Sequence, residues 1–153
     1  MKYLAIYNSI TGDVDSYSFT NDDTSIISKK DCTTVEITES EYDQAKGHKS
    51  GAYFDNGLVL KPLKTSKYDK WDYVQKAWVL DTEFQLLSET VEVRNQRDSL
   101  LVEMDEIVSN PLRWATFSPE LQAQWIQYRL DLLDVPQQSG FPLNVVFPEK
   151  PAV

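Results

Sequence analysis

Ser118-Pro119-Glu120-Leu121-Gln122-Ala123-Gln124-Trp125-Ile126-Gln127-Tyr128-Arg129-Leu130-Asp131-Leu132-Leu133-Asp134 decides how this chain is read. Its opening is a helix start. Ser118 can accept from a free backbone N–H, Pro119 lacks an N–H where none is needed, and Glu120 sits at the positive end of the helix dipole. Leu121, Trp125, Tyr128 and Leu132 then recur at helical spacing and form one face, which Ile126, Leu130 and Leu133 widen. The sequence beyond Asp134 cannot continue that helix. Residues 135–153 hold Pro136, Pro142, Pro148 and Pro151, and each biases the residue before it towards extended geometry. Phe141, Leu143, Val145 and Phe147 alternate, so an extended chain would carry them on one side. The chain is expected to end in an apolar strip, laid back across its own helices or added to a partner. Removal of everything after Asp134 is expected to leave a folded protein that binds its partner more weakly.

Upstream, the period is again helical. From about Glu83, Leu86, Val93, Leu100 and Ile107 repeat every seven residues, with Leu87, Leu101 and Val108 beside them and Val91 and Met104 on the half-turns. This predicts a helix of roughly 25 residues with a wide apolar stripe. Arg94, Arg97 and Asp98 interrupt the stripe. Arg94 and Asp98 are spaced to pair across one turn. Charges on a core-facing stripe cost free energy unless paired. Arg97 and Asp98 are therefore read as an ion pair at the core edge or as a polar point of contact with another chain. Asn110-Pro111 breaks this helix, and a connection of about ten residues to Ser118 suggests an antiparallel helical hairpin.

Residues 1–80 read differently. Tyr3, Ala5 and Tyr7 alternate with Leu4 and Ile6, and a turn at Thr11-Gly12-Asp13 leads into a second alternating run from Val14 to Phe19. A polar stretch, 20–31, reads as a loop. Residues 33–37 form a short β-rich run, and Thr38-Glu39-Ser40-Glu41 has the form of a capping box opening a short helix that Gly47 ends. Asn56-Gly57 between two apolar runs predicts a hairpin on a type I′ turn. Trp71 to Val74 and Trp78 to Leu80 make a further pair of strands. The expected fold is α+β: a β-rich domain over 1–80, a helical hairpin over 81–134, and an extended C-terminal segment over 135–153.

Composition limits the function classes. At 41% hydrophobic and 25% charged residues the chain is globular rather than disordered. The net charge is −9, of which residues 1–80 carry −2 (10 basic, 12 acidic) and residues 81–153 carry −7 (5 basic, 12 acidic). That balance argues against a nucleic-acid surface and against anionic membranes as partners. Cys32 is the one cysteine, so neither a disulfide framework nor a cysteine-rich metal site is expected. The N-terminal residues lack the apolar run of a signal peptide, and no stretch approaches the roughly 18 apolar residues of a membrane span. Folding in a reducing cytoplasm is the expectation.

Catalytic chemistry finds little support. His48 lies in a Lys/Ser/Gly stretch without a nucleophile or orienting carboxylate at motif spacing. Cys32 has only Lys29-Lys30 nearby to lower its pKa. Asp22-Asp23 and Asp105-Glu106 could chelate a hard cation, but no calcium-loop pattern and no glycine-rich phosphate loop occurs. No catalytic residue, cofactor or metal is expected.

The C-terminal motifs carry a resemblance. Arg94-x-x-Arg97-Asp98-x-Leu100-Leu101-x-Glu103 is followed by Trp125-x-x-Tyr128-Arg129-x-x-Leu132-x-Asp134-x-Pro136-Gln137-Gln138-x-Gly140-Phe141-Pro142 and by Val146-Phe147-Pro148-x-x-Pro151. This ordered set, over about residues 90–151, resembles phage tail fibre assembly proteins, the tail assembly chaperones. The chain departs from that pattern at Glu106 and Phe147, where the family usually has Trp, and at Leu133, where it usually has Arg. The resemblance implies a non-enzymatic bacteriophage protein that binds a trimeric tail fibre, near the fibre's C-terminal part, and promotes its folding or trimerisation in the host cytoplasm. The alternative is a structural virion component retained on the fibre or its tip. Self-association is a second partner class. The partner-binding residues expected are Arg97, Asp98, Trp125, Tyr128, Arg129, Asp134, Phe141, Pro142, Phe147 and Pro148.

Overall fold

The computed structural model describes residues 1–21 and 30–152. Contacts divide the chain into two compact units, Met1–Asp81 and Thr82–Val153. The strands lie in the first and the long helices in the second, giving the α+β class that the two periodicities imply.

In the first unit, β1 (Lys2–Asn8) is the middle strand of an antiparallel sheet, with β2 (Val14–Thr20) on one side and β3 (Cys32–Ile37) on the other. The β1–β2 turn uses Gly12 at φ +77°, where a side chain would be strained and its Cβ would press on the Phe54 carbonyl at 3.0 Å. Ala5 and Ile6, neighbours that point to opposite faces, are both buried. Helix α1 (Glu39–Lys46) lays Tyr42 on the face that carries Ala5, packed with Ile37. Its start is the capping box expected: the Thr38 hydroxyl accepts from the Glu41 N–H, and the Glu41 carboxylate accepts from the Thr38 N–H at 2.8 Å. That bond holds the Glu41 carboxyl below its ordinary pKa. Part of the polar loop and the Asp22-Asp23 pair lie outside the described residues.

Two small hairpins complete this unit: β4 (Ala52–Phe54) with β5 (Leu58–Leu60), and β6 (Asp69–Asp72) with β7 (Ala77–Leu80). The first turns at Asn56-Gly57 but not as type I′. Positive φ falls on Asn56, at +53°, and not on Gly57. Phe54 pairs with Leu58, so three residues form the loop and the backbone needs only one left-handed position. Among the described residues of the unit, Lys61 is the buried cation. Its ammonium lies 2.8 Å from Asp13 and 4.8 Å from the centre of the Trp71 ring. An acid and an aromatic face together replace the water it loses.

In the second unit, α2 (Thr82–Val108) and α4 (Pro119–Asp134) form an antiparallel hairpin. Its core is Met104, Ile107, Trp125, Tyr128 and Leu132, with Trp125 and Leu132 at 0% exposure. The Ser118 hydroxyl accepts from the Leu121 N–H and Pro119 takes the first turn, as the sequence requires. Three features differ from expectation. The stretch 109–117 is not plain loop: α3 (Pro111–Trp114) forms because the Asn110 side chain accepts from the Leu112 and Arg113 N–H groups. The buried stripe of α2 is narrow. Val93, Met104 and Ile107 are buried, whereas Leu87 and Val91 are exposed, because α4 is much shorter than α2 and covers one part of it. Arg94 does not pair with Asp98. It lies 6.0 Å over the Phe141 ring, while Asp98 accepts from its chain neighbour Arg97.

Candidate partner-binding surface

The tail is built from α4 outward. At Val135–Gln137 the helix tightens into one 3-10 turn, which sets Val135 at 0% exposure. Residues 139–143 then form turns rather than the first half of an alternating strand. The Asn144 N–H donates to the Gly140 carbonyl at 2.7 Å, and the Phe141–Pro142 peptide is cis. A Cβ on Gly140 would sit 2.0 Å from the Asn144 carbonyl oxygen, so no other residue fits there without moving backbone. The turn spoils the alternation: Phe141 and Phe147 are half-buried, but Leu143 is exposed.

Residues 145–152 run without helix or strand and are held by three contacts. The Gln138 amide acts as a one-residue ladder, accepting from the Val146 N–H at 2.8 Å and donating to the Val146 carbonyl at 2.7 Å. Phe147 packs on the Met104/Trp125/Tyr128 core. The Lys150 ammonium donates to Glu103 at 2.7 Å, which holds its pKa above the ordinary value. The strip therefore covers its own helices. In the sequence, Gln138 and Gly140 stand only as parts of a motif. Their physical signal is an amide and a glycine flanking a proline-broken turn.

The residues expected to bind a partner fall into three groups. Trp125 and Tyr128 are core, their rings edge to face at 5.8 Å, and burial pushes the Tyr128 phenol up. Phe141, Pro142, Phe147 and Pro148 are half-buried in the strap. Arg97 is half-buried against exposed Asp98, while Arg129 and Asp134 are exposed on α4. Asp134 lies at the carbonyl end of a helix whose last turn holds no basic residue, a position the dipole disfavours for an anion and where an incoming cation would gain.

Beside these lies a cavity of about 320 Å³ that sequence reasoning missed. It is lined by Met104, Asp105 and Val108 of α2, Trp114 of α3, and Trp125, Ile126, Arg129 and Leu130 of α4. Ile126 and Leu130 are 57% and 49% exposed, so the residues expected to widen the core face instead form an open apolar wall. The indole N–H of Trp125 is buried and meets no acceptor among the described residues.

His48 Nε2 lies 2.6 Å from the Lys61 carbonyl, which can only accept, so that nitrogen carries the proton in a structural bond. Among the described residues, no three His, Cys, Asp or Glu side chains gather as a metal site, and no helix is long and apolar enough to cross a membrane.

Residues 90–152 match the family of phage tail assembly chaperone proteins. The match falls on α2, α3, α4 and the strapped tail, the region that carries the sequence resemblance, and does not reach the sheets of the first unit. No curated protein and no solved structure matches the chain.

Proposed function

We propose that this protein is a bacteriophage tail fibre assembly chaperone that binds the fibre, near its C-terminal part, and promotes its folding or trimerisation. The observation that carries this reading is the family match over residues 90–152, which takes in most of α2, all of α3 and α4 and the whole described tail. The chemistry is consistent with it. Three fibre chains must meet before their intertwined strands are satisfied, and until then unpaired edges and apolar surface aggregate. A helical unit with an open apolar wall lined also by one acid and one base can cover such a segment without chemistry on it. Action is in the host cytoplasm during assembly, with no catalytic step. Arg129 and Asp134 are proposed to contact the partner, Arg97 and Asp98 to line the same unit, and Trp125, Tyr128, Phe141, Pro142, Phe147 and Pro148 to hold its shape.

The test is co-expression with the fibre protein of the same phage, scoring soluble trimer. A several-fold rise in trimer yield that depends on residues 82–153 is the expected result; an unchanged yield removes the proposal. Quantitative mass spectrometry of purified particles divides the two fates. Absence from particles with presence in the lysate marks a released chaperone, and a fixed ratio to fibre marks a retained tip component.

A further inference from the structure

We propose that residues 145–152 are an autoinhibitory strap: they occupy, within the chain, a groove of the helical unit that reads an extended tail-protein segment with an aromatic anchor and a cation three residues on, and such a segment displaces them. This deepens the chaperone reading and rests on it for the source of the segment. The occupant itself shows what the groove takes. Residues 145–152 run without helix or strand, and their contacts are those by which grooves read extended peptides. Phe147 is the anchor and packs on the core that holds Met104, Trp125 and Tyr128. Backbone recognition falls on the residue before it, where the Gln138 amide accepts from the Val146 N–H at 2.8 Å and donates to the Val146 carbonyl at 2.7 Å. The Lys150 ammonium donates to Glu103 at 2.7 Å. Pro148 and Pro151 bias Phe147 and Lys150 to extended geometry, and a polyproline-like chain returns to the same side every three residues. That spacing lets one face of the strap carry both contacts.

The hold is weak enough to exchange. Val146 is 74% exposed, and the Lys150 and Glu103 side chains are 45% and 54% exposed. Ion pairs and hydrogen bonds so open to water contribute little, so half-buried Phe147 carries most of the attachment. A segment held by one anchor opens locally at a fraction of the cost of unfolding. Its tether gives it a high effective concentration and makes it the default occupant, so a competitor must match its chemistry. Closed, the strap covers apolar surface that would otherwise collect unrelated chains. Charge narrows the occupant further. Glu103 takes a cation, and residues 81–153 carry a net −7, so a segment with Lys or Arg three residues after its aromatic anchor is favoured over a neutral or acidic one.

The probe is the acetylated, amidated peptide of residues 144–152, added to full chains whose own strap is weakened. Phe147→Ala empties the anchor position, and Lys150→Glu, at an exposed position, serves if that variant unfolds. The peptide is expected to bind either variant saturably and at least tenfold more tightly than it binds the parent chain, whose strap competes. The same peptide carrying Phe147→Ala should bind at least tenfold more weakly. Adding Glu103→Lys to the variant should reverse the preference, towards a peptide carrying Lys150→Glu. Binding absent from both variants, or equal in variants and parent, overturns the strap. Overlapping peptides of the fibre protein of the same phage, added to the parent chain, then test the occupant through the ¹H–¹⁵N signal of Val146. Saturable movement by a peptide with an aromatic residue and a Lys or Arg three residues on is the expected result; no movement by any fibre peptide overturns the tail-protein assignment. Concentration-dependent dimerisation lost in Phe147→Ala would make the occupant the strap of a second copy and overturn the same assignment. Fibre co-expression separates the two levels. If the parent chain raises soluble fibre while the peptide binds neither variant, the strap inference falls and the chaperone reading stands. If the peptide binds the variants while the parent chain rescues no fibre, the groove stands and the chaperone reading falls.

Discussion

At the residue scale, Gly140 and Leu132 have the sharpest consequences. A Cβ at position 140 has no space against the Asn144 carbonyl, 2.0 Å away, and backbone cannot swing aside as a flexible side-chain tip can. Gly140→Ala is expected to lower stability by about 1–3 kcal/mol, the usual cost of forcing atoms into filled space. Thermal unfolding checks it; an unshifted midpoint would mean that the turn opens freely. Leu132 is fully buried in the helical core, so Leu132→Ala is expected to cost about 2–5 kcal/mol in urea unfolding. Both residues stand in the sequence motifs, but for different reasons. Leu132 is legible from helical spacing alone. The steric demand at Gly140 comes from Asn144, four residues on, through the turn that the Asn144 N–H closes on the Gly140 carbonyl.

At the scale of elements, the helix starts were readable and the ends of hairpins less so. The Thr38–Glu41 box and the Ser118-Pro119 start follow from local hydrogen bonding, which short sequence patterns capture. Thr38→Ala is expected to cost about 0.5–2 kcal/mol, seen as earlier loss of helicity in α1. Glu41 has its pKa lowered in the folded state by the Thr38 bonds. Its contribution is therefore present above the unfolded carboxyl pKa and is lost as pH falls through the lowered folded value. Acid titration of Glu41→Gln, which keeps a hydrogen-bonding side chain, should show a flatter stability profile in that window. The Gln138 clamp is a second element-scale device. Gln138→Ala is expected to cost about 1 kcal/mol and to speed amide exchange at Val146; unchanged exchange there would show that Phe147 and Lys150 hold the strap unaided. The Asn56-Gly57 hairpin was legible, but its turn type was not. Loop length is set by strand register, and Phe54–Leu58 pairing leaves three residues to turn.

At the scale of the whole molecule, the tail changes its meaning. Read as sequence, residues 135–153 look removable. In the structure, Val135 is fully buried and Phe147 packs on the core of α2 and α4. Truncation after Asp134 is therefore expected to destabilise the helical unit itself, and to lower fibre binding through loss of fold. Circular dichroism on heating should show a separate, earlier transition for residues 82–134 with the sheet-bearing unit retained. A truncated chain melting like the parent would return the tail to the role of a free strip. The candidate surface follows the same division. Arg97, Asp98, Trp125 and Arg129 could be named from motif and periodicity. The cavity could not, because Met104, Val108, Trp114, Ile126 and Leu130 come from three helices and are separated by a break whose geometry depends on the Asn110 cap.

Periodicity, caps and prolines by themselves determined the α+β class, the two long helices, the hairpins of the first unit and the breaks between them. Each of these is set by residues within a turn or two of one another. Tertiary structure alone decided which side of each apolar stripe is covered, that the tail straps its own helices, and that three helices meet around an open apolar cavity. Those outcomes depend on which surfaces meet. Hydrophobic burial is non-directional and leaves that choice to the packing of residues far apart in the chain.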